Sequence, residues 1–580
     1  MKKTAFLLTF LASLALPIGL VADTWDGGGG DSDYANGLNW GADAVPGPVN
    51  ADILQNVNVT LDTAQASSAR LRVENATGAS LTINAGGSLL NLNHIRLGEN
   101  ASTAGTLSLS GGNLRVNATT QNVVGYDGSA TLNVGNGSTY SNVGSQNLVV
   151  GYRNSASGTI NVTGGTMTLP NTFVVGRDAD GVLNVSSGTV DVNRSFNIGN
   201  LAGGNGVVNL TGTGYIDGTG VLTGSQIGNS GSGTVNIDEL ARLRLGDRDL
   251  SIGNNNSGSG TVNLTSGTLS VGNAIYLGQG GSATGVVTQD GGLLESRNSN
   301  IVVGRQGNAQ GTYVMNGGTM SAASTLYVGR ANNSVGVFNQ TGGDVFVGNN
   351  LDFGNSTGSG AVGTYTLSGG SLRVGSQMRA PAEGHFVLNG GTLRVNSIVD
   401  TLDSFTWNSG TLTSAQAGDL INTTIDVDVT TSAGSVLDLG PIFLSGGSRQ
   451  ERLIVNGTLD LSAGGDLLQA VENIGFLRPI GVGAIGTGTL NLVDADTLVG
   501  TFDSFTGPSD GITQSLFDPS GDPNNLDLNT WFLEYDGANG DINFLYKVSG
   551  VAPEPTTVSL LGVAIVMLRV LRRRKYAYSD

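Results

Sequence analysis

The residues best placed to do chemistry in this chain are two aspartates and an arginine. Asp191 in TVDV, Asp217 in YIDG and Arg244 in RLRL each hold the third place of a four-residue alternating run, one repeat length apart. Stacking those runs sets the three side chains in one column. Carboxylates on adjacent rungs can hold Ca²⁺ through their oxygens, and a nearby guanidinium can take the acid group of a uronate. That chemistry would be cleavage of an acidic polysaccharide by a lyase or hydrolase. The same column carries Thr168 and Ser270, and no long loops build a cleft around it, so mixed surface charge is the plainer expectation. His94 and His385 are the only histidines and there is no cysteine, which leaves little for a Ser-His-Asp triad, a Cys-His pair or a His-ligated zinc. The acidic loop Asp518–Asp527 offers oxygens but lacks the spacing and final Glu of an EF-hand. No catalytic residue, metal or cofactor is expected.

What positions these residues is a repeat. From about Ala79 to Ile398, units open at Gly158, Gly181, Gly206, Gly233, Gly260, Gly285, Gly311, Gly336 and Gly363, 23 to 27 residues apart. The unit at Gly260 reads GTVNLTSGTLSVGNAIYLGQGGSAT, with Val262 and Leu264, Leu269 and Val271, and Ile275 and Leu277 as three same-face pairs. Alternation of period two places each pair on one side of a strand. Glycine turns such as Ser266-Gly267 and Gly272-Asn273 separate the runs. Three strands and three turns per unit predict a right-handed parallel β-helix of about a dozen coils, an all-β fold.

The outward positions repeat too. Asn133, Asn161, Asn184, Asn209, Asn236 and Asn263 share one site, where stacked amides can hydrogen-bond along the coil axis. Arg153, Arg177, Arg305 and Arg330 share one corner, as solvated turn residues or as contacts for an anionic polysaccharide. Trp25 and Trp40, in a Gly/Asp/Asn-rich loop before the first coil, suit a hydrophobic plug better than a sugar-stacking platform.

The ends have a different character. Lys2 and Lys3 precede an apolar run from Ala5 to Leu20, which predicts a signal peptide over 1–22 cleaved after Ala22. A cap with the Trp/Gly-rich loop follows over 23–78, then the coils over 79–398, irregular last coils over 399–439 and a capping β domain over 440–548. Within that domain Phe532–Tyr535 and Ile542–Tyr546 flank an Asp-Gly-Ala-Asn-Gly turn, a hairpin signal. Over 549–580 come Pro553-Glu554-Pro555, an apolar run from Val558 to Leu568 and a basic cluster of Arg569, Arg572, Arg573, Arg574 and Lys575. The apolar run suits a short transmembrane segment and the basic cluster a cytoplasmic anchor. At about 17 Å as a helix it is marginal against a core of about 30 Å, as befits a signal held briefly and then removed. The net charge of −18 argues against a nucleic-acid partner.

Two resemblances follow from these motifs. The tripartite tail resembles the PEP-CTERM sorting signal of Gram-negative bacteria that export proteins alongside exopolysaccharide. That implies an exosortase-type membrane peptidase acting at or near Pro553-Glu554-Pro555, with the Sec machinery and signal peptidase at the other end. The precursor would be held transiently at the inner membrane, and the mature protein would reach the cell surface or matrix. The repeats, with GGTM at Gly317, GGDV at Gly342, GGSL at Gly369 and GGTL at Gly390, resemble autotransporter-type passenger-associated repeats. They depart from that family where a basic tail stands in place of a membrane β-barrel. The combined expectation is an exported, non-enzymatic structural protein associated with exopolysaccharide. The alternatives are an adhesin, or a polysaccharide lyase or hydrolase like the pectate-lyase-like β-helix enzymes.

Overall fold

The computed structural model describes residues 22–399 apart from positions 48, 66–68, 154, 219, 221–222 and 356–359, and the strands with some of their connections from 402 to 549. The signal segment before Ala22 and the sorting tail, with Pro553, Glu554, Pro555, the apolar run and the basic cluster, lie outside the described residues. Among the described residues no helix is long and apolar enough to cross a membrane.

The fold is a parallel β-solenoid of about 15 turns, with 58% of residues in strands and 1% in helices. It divides into two compact units, one ending at Gly272 and one beginning at Asn273. A turn has a glycine-led strand such as Ser232–Ile237, a middle strand such as Arg242–Leu245 and a third strand such as Leu250–Ile252. The burial alternates as the sequence predicts: Val262, Leu264, Leu269, Val271, Ile275 and Leu277 are all sealed from solvent. Each strand pairs in parallel with its equivalent one turn on, as Ser232–Ile237 does residue for residue with Ser259–Leu264.

The unit-opening glycines are required for space. A Cβ on Gly260 would lie 2.3 Å from both the Ile227 carbonyl oxygen and the Gly253 nitrogen. Gly253 itself sits at φ +69°, where only glycine is unstrained. The start of one strand thus packs directly on the corner that precedes it.

In the first unit, stacking reaches further back than the repeat does. Ala51–Ile53 pairs in parallel with Arg70–Val73, and Asn58–Leu61 with Ala79–Asn84, so coil strands occupy part of the segment before Ala79. Parallel pairing also continues past Val399, as Thr423–Ile425 does with Leu453–Asp460, so turns beyond both bounds raise the number above a dozen. Asp23–Thr24 pairs with Ala51–Asp52, and beyond it the end is closed by three aromatic rings. Trp25 and Trp40 meet edge to face at 5.3 Å, Tyr34 and Trp40 at 4.9 Å, and the Trp40 indole donates to the Tyr34 carbonyl at 3.0 Å. Both tryptophans are buried, so neither offers a face to a sugar.

In the second unit the core contains a column of stacked rings: Tyr313, Phe338, Tyr365, Phe386 and Phe405, with successive centroids 4.6, 4.5, 5.3 and 5.7 Å apart. Its last strands break the parallel pattern. Ile485–Val499 pairs antiparallel with Asp541–Ser549, which pairs antiparallel with Thr530–Asp536. That final pair is the hairpin the sequence signals, and it places Trp531 and Phe544 together at 5.6 Å. An antiparallel hairpin covers an edge that would otherwise template another chain.

Candidate functional site

Register places Asp191 beside Asp217 and Asp217 beside Arg244 on three consecutive middle strands, with Thr168 and Ser270 as the outer neighbours. Tyr215, two residues before Asp217, hydrogen-bonds both Asp217 and Arg244. Partial burial, and then the charge of Asp217, raise the Asp191 carboxyl above its ordinary range. The column therefore sets an arginine one rung from an aspartate and holds one uneasy carboxylate. Two carboxylates fall short of a Ca²⁺ shell of six to eight oxygens, and among the described residues no group of three or more His, Cys, Asp or Glu is placed to hold a metal ion.

His94 lies in a network that the sequence reasoning missed. Arg70 makes a fork-like contact to both oxygens of Asp52 at 2.9 Å. Arg72 pairs with Glu74, and Arg96 with Glu99. Glu74 is buried and also accepts from the Asn100 amide at 2.7 Å and the Thr103 hydroxyl at 3.0 Å. Burial, then the charges of Arg96 and Arg70, depress the His94 pKa to about 4. His94 is thus neutral at physiological pH among these ion pairs, with its Nδ1 buried and without a hydrogen-bond partner. The signal was present in RLRVE at Arg70–Glu74 and HIRLGE at His94–Glu99, but it precedes the regular repeat that revealed register elsewhere. His385 contacts the Ser404 hydroxyl at 2.9 Å and Glu383 at 3.3 Å.

The corner arginines are engaged within the chain. Tyr126 and Tyr152 stack at 4.8 Å. Arg153 lies 4.9 Å from the Tyr126 centroid, Arg177 lies 4.4 Å from that of Tyr152, and Arg96 covers Tyr126 at 4.8 Å. Arg305 covers Tyr276 at 4.5 Å and Arg330 covers Tyr327 at 4.9 Å. Each guanidinium sits on a negative ring face, so these corners are internally matched. In the acidic loop, Asp518 lies outside the described residues, while Asp522 accepts from the Asn524 amide at 2.9 Å as the cap of a short turn.

The most regular surface feature is the asparagine ladder. Asn133 donates to Ser108 at 3.0 Å, Asn161 to Asn133 at 2.9 Å, and Asn184 to Asn161 at 2.8 Å. Asn209 donates to Asn184 at 2.8 Å, Asn236 to Asn209 at 2.7 Å, and Asn263 to Asn236 at 2.8 Å. Every interior amide both donates and accepts along the stack, which leaves one donor hydrogen and a lone pair for solvent or a glycan hydroxyl. No protein-family model, no curated protein and no solved structure matches the chain.

Proposed function

We propose that the chain is an exported, non-enzymatic structural protein of the cell surface or extracellular matrix, associated with exopolysaccharide. The observation that carries this is the uninterrupted ladder from Ser108 to Asn263 on a parallel β-solenoid. Such a scaffold presents the same polar groups again and again at strand spacing, about 4.8 Å. Single contacts to hydroxyl-rich chains are weak, but many on one rigid support become retention.

Export and sorting rest on the sequence of the two ends. Lys2, Lys3 and the apolar run before Ala22 suit the Sec machinery and signal peptidase. Pro553-Glu554-Pro555, the apolar run and the basic residues Arg569 to Lys575 suit transient retention at the inner membrane and processing by an exosortase-type peptidase. The test is fractionation of cells carrying the intact protein or the triple Pro553→Ala, Glu554→Ala, Pro555→Ala variant. The intact protein should lose its tail and reach the surface or matrix fraction, and the variant should stay with the membrane. Equal release of a tail-less product from both would overturn the sorting step.

One observation favours a second function, polysaccharide lyase or hydrolase. Asp191 and Asp217 share adjacent rungs, and the Asp191 carboxyl is held above its ordinary range beside its neighbour's charge. A carboxyl with raised proton affinity beside a second carboxyl suits acid–base work on glycans. Release of reducing ends from a uronate polymer, abolished by Asp191→Ala, would establish it.

A further inference from the structure

The middle-strand face of the second unit carries a different column from the one around Asp191. Register sets Glu295 beside Ser321, Ser321 beside Phe346, Phe346 beside Arg373 and Arg373 beside Arg394. Phe346 is 40% exposed, a large apolar ring left on an outward position. Beside it a recess of about 240 Å³ is lined by Ser321, Ala323, Phe346, Gly348, Arg373 and Gly375.

The recess has a simple origin. Successive corners after this strand carry Ala323, Gly348 and Gly375, which are too small to fill the space over the backbone. At the next corner Asn396 donates to the Gly375 carbonyl at 3.1 Å. The volume lies below the ~300–1,000 Å³ of drug-sized pockets and suits one ring-sized group.

Charge distinguishes this site from the arginine groups around His94 and at the tyrosine corners. Arg70, Arg72, Arg96 and Arg379 pair with carboxylates. Arg153, Arg177, Arg305 and Arg330 cover tyrosines. Among the described residues Arg373 and Arg394 do neither, although they repel each other from adjacent rungs. Asp344, on the strand of Phe346, directs its carboxylate to the Ser371 hydroxyl at 2.5 Å. Among the described residues no guanidinium covers the Phe346 ring either. Two unneutralised cations on an acidic protein, next to a bare aromatic face and a ring-sized recess, form a matched set for an acidic sugar. The carboxylate would bridge the guanidiniums, the apolar face of the pyranose would lie on Phe346, and Ser321 would take a hydroxyl.

We propose that Ser321, Phe346, Arg373 and Arg394 form a binding site for a uronic-acid unit of an acidic polysaccharide. This rests on the reading that the chain associates with exopolysaccharide and adds which sugar class it retains and where.

The test is calorimetric titration of the full chain with trigalacturonate, with neutral galactotriose and single-stranded oligothymidylate as comparisons. Wild-type protein should bind trigalacturonate, more weakly as NaCl rises, and bind the neutral trimer at least about tenfold less tightly. Arg373→Gln/Arg394→Gln should lose on the order of tenfold or more in affinity, the scale of a charge-assisted contact. Phe346→Ala should weaken both sugars by a similar factor. Arg115→Gln, an exposed arginine of the first unit, should bind as wild type does. Unchanged unfolding midpoints would exclude a folding defect in the variants. Equal binding by wild type and the Arg373/Arg394 variant overturns the site, as does oligothymidylate binding as tight as that of the acidic sugar. Surface retention in the fractionation above is independent of this result: if it persists while the titration fails, the matrix role stands and this site falls.

Discussion

Tyr365 lies on Phe338 with ring centroids 4.5 Å apart and planes 5° from parallel, and its hydroxyl donates to Gln340 at 2.6 Å inside the core. The Gln340 amide in turn donates to the carbonyls of Gly343 and Ser371, both at 3.0 Å. Tyr313 repeats the arrangement two turns earlier by donating to Gln289. A buried glutamine is thus acceptable because each of its polar atoms has a partner, and the ring column supplies one of them.

Tyr365→Phe keeps the stack and leaves the Gln340 side-chain oxygen without its donor. It should cost about 1–3 kcal/mol of unfolding free energy, the penalty of an orphaned buried acceptor. Gln340→Met with Tyr365→Phe should cost more again, because it also takes the amide donor from the Gly343 and Ser371 carbonyls. Urea titration of the two variants checks it, and equal destabilisation of single and double variants would contradict the account.

The ladder makes a separate prediction. Asn209→Ala removes the acceptor of Asn236 and the donor to Asn184. Both bonds are half-exposed, so the expected cost is about 1–2 kcal/mol. Asn209→Asp should do no better, since an aspartate accepts from Asn236 but has nothing to give Asn184. A urea midpoint unchanged by either substitution would mean that the ladder is decoration.

Gly260→Ala forces a methyl into 2.3 Å of the Ile227 carbonyl and the Gly253 nitrogen, a backbone clash that no rotamer relieves. It should cost more than ~2 kcal/mol, at the severe end of overpacking. Gly137→Ala, at φ +71° with no atom within 4 Å of the added carbon, should cost only about 1–2 kcal/mol for the left-handed conformation. Thermal unfolding of the pair separates steric need from conformational need.

Much of this was legible because one period governs both burial and register. Once Val262, Leu264, Leu269 and Val271 are assigned inward, Asn263 must point out, and the equivalent asparagines must follow it. Register likewise brings Asp191, Asp217 and Arg244 together. What escaped was everything without a repeat of its own. Asp52, Arg70 and Glu74 meet Arg96 and Glu99 in turns whose sequences barely resemble the later ones. The recess beside Phe346 depends on what Ala323, Gly348 and Gly375 lack, and hydrophobic alternation carries no sign of a missing side chain. The stacked rings at Tyr313, Phe338, Tyr365 and Phe386 do share one repeat position, two residues after Gly311, Gly336, Gly363 and Gly384, and period-two burial alone does not distinguish them from aliphatic residues.

His94 gives the fold a dependence on pH whose direction is set by its surroundings. Burial and the neighbouring Arg96 and Arg70 hold its pKa near 4, against an ordinary 6.5, with Glu99 alone pulling upward. The unfolded chain therefore takes up the proton first as pH falls. The stability gained by keeping His94 neutral is intact above about 6.5 and drains between 6.5 and 4. Glu99 is held below its usual range because Arg96, Arg70 and Arg72 outweigh the effect of its burial, so its own contribution fades only at lower pH. Urea midpoints between pH 6.5 and 5 should fall for wild type and stay flatter for His94→Gln. Parallel slopes would sink the assignment.

Asp191 works in the opposite sense. Burial and the charge of Asp217 raise its affinity for a proton in the folded state, so the charged form opposes folding at neutral pH. The penalty shrinks as pH falls through the raised pKa and vanishes below the unfolded value of about 3.8. Asp191→Asn keeps the shape and removes the charge. It should raise the melting temperature at pH 7, with a gain that declines toward pH 4. A structural column predicts that this variant is more stable and unchanged in its effect on a uronate polymer. A catalytic pair predicts the same gain in stability together with loss of polymer cleavage, because active-site charges are commonly kept at the expense of stability. Melting curves and a reducing-end assay on one purified variant therefore decide between the scaffold and the enzyme.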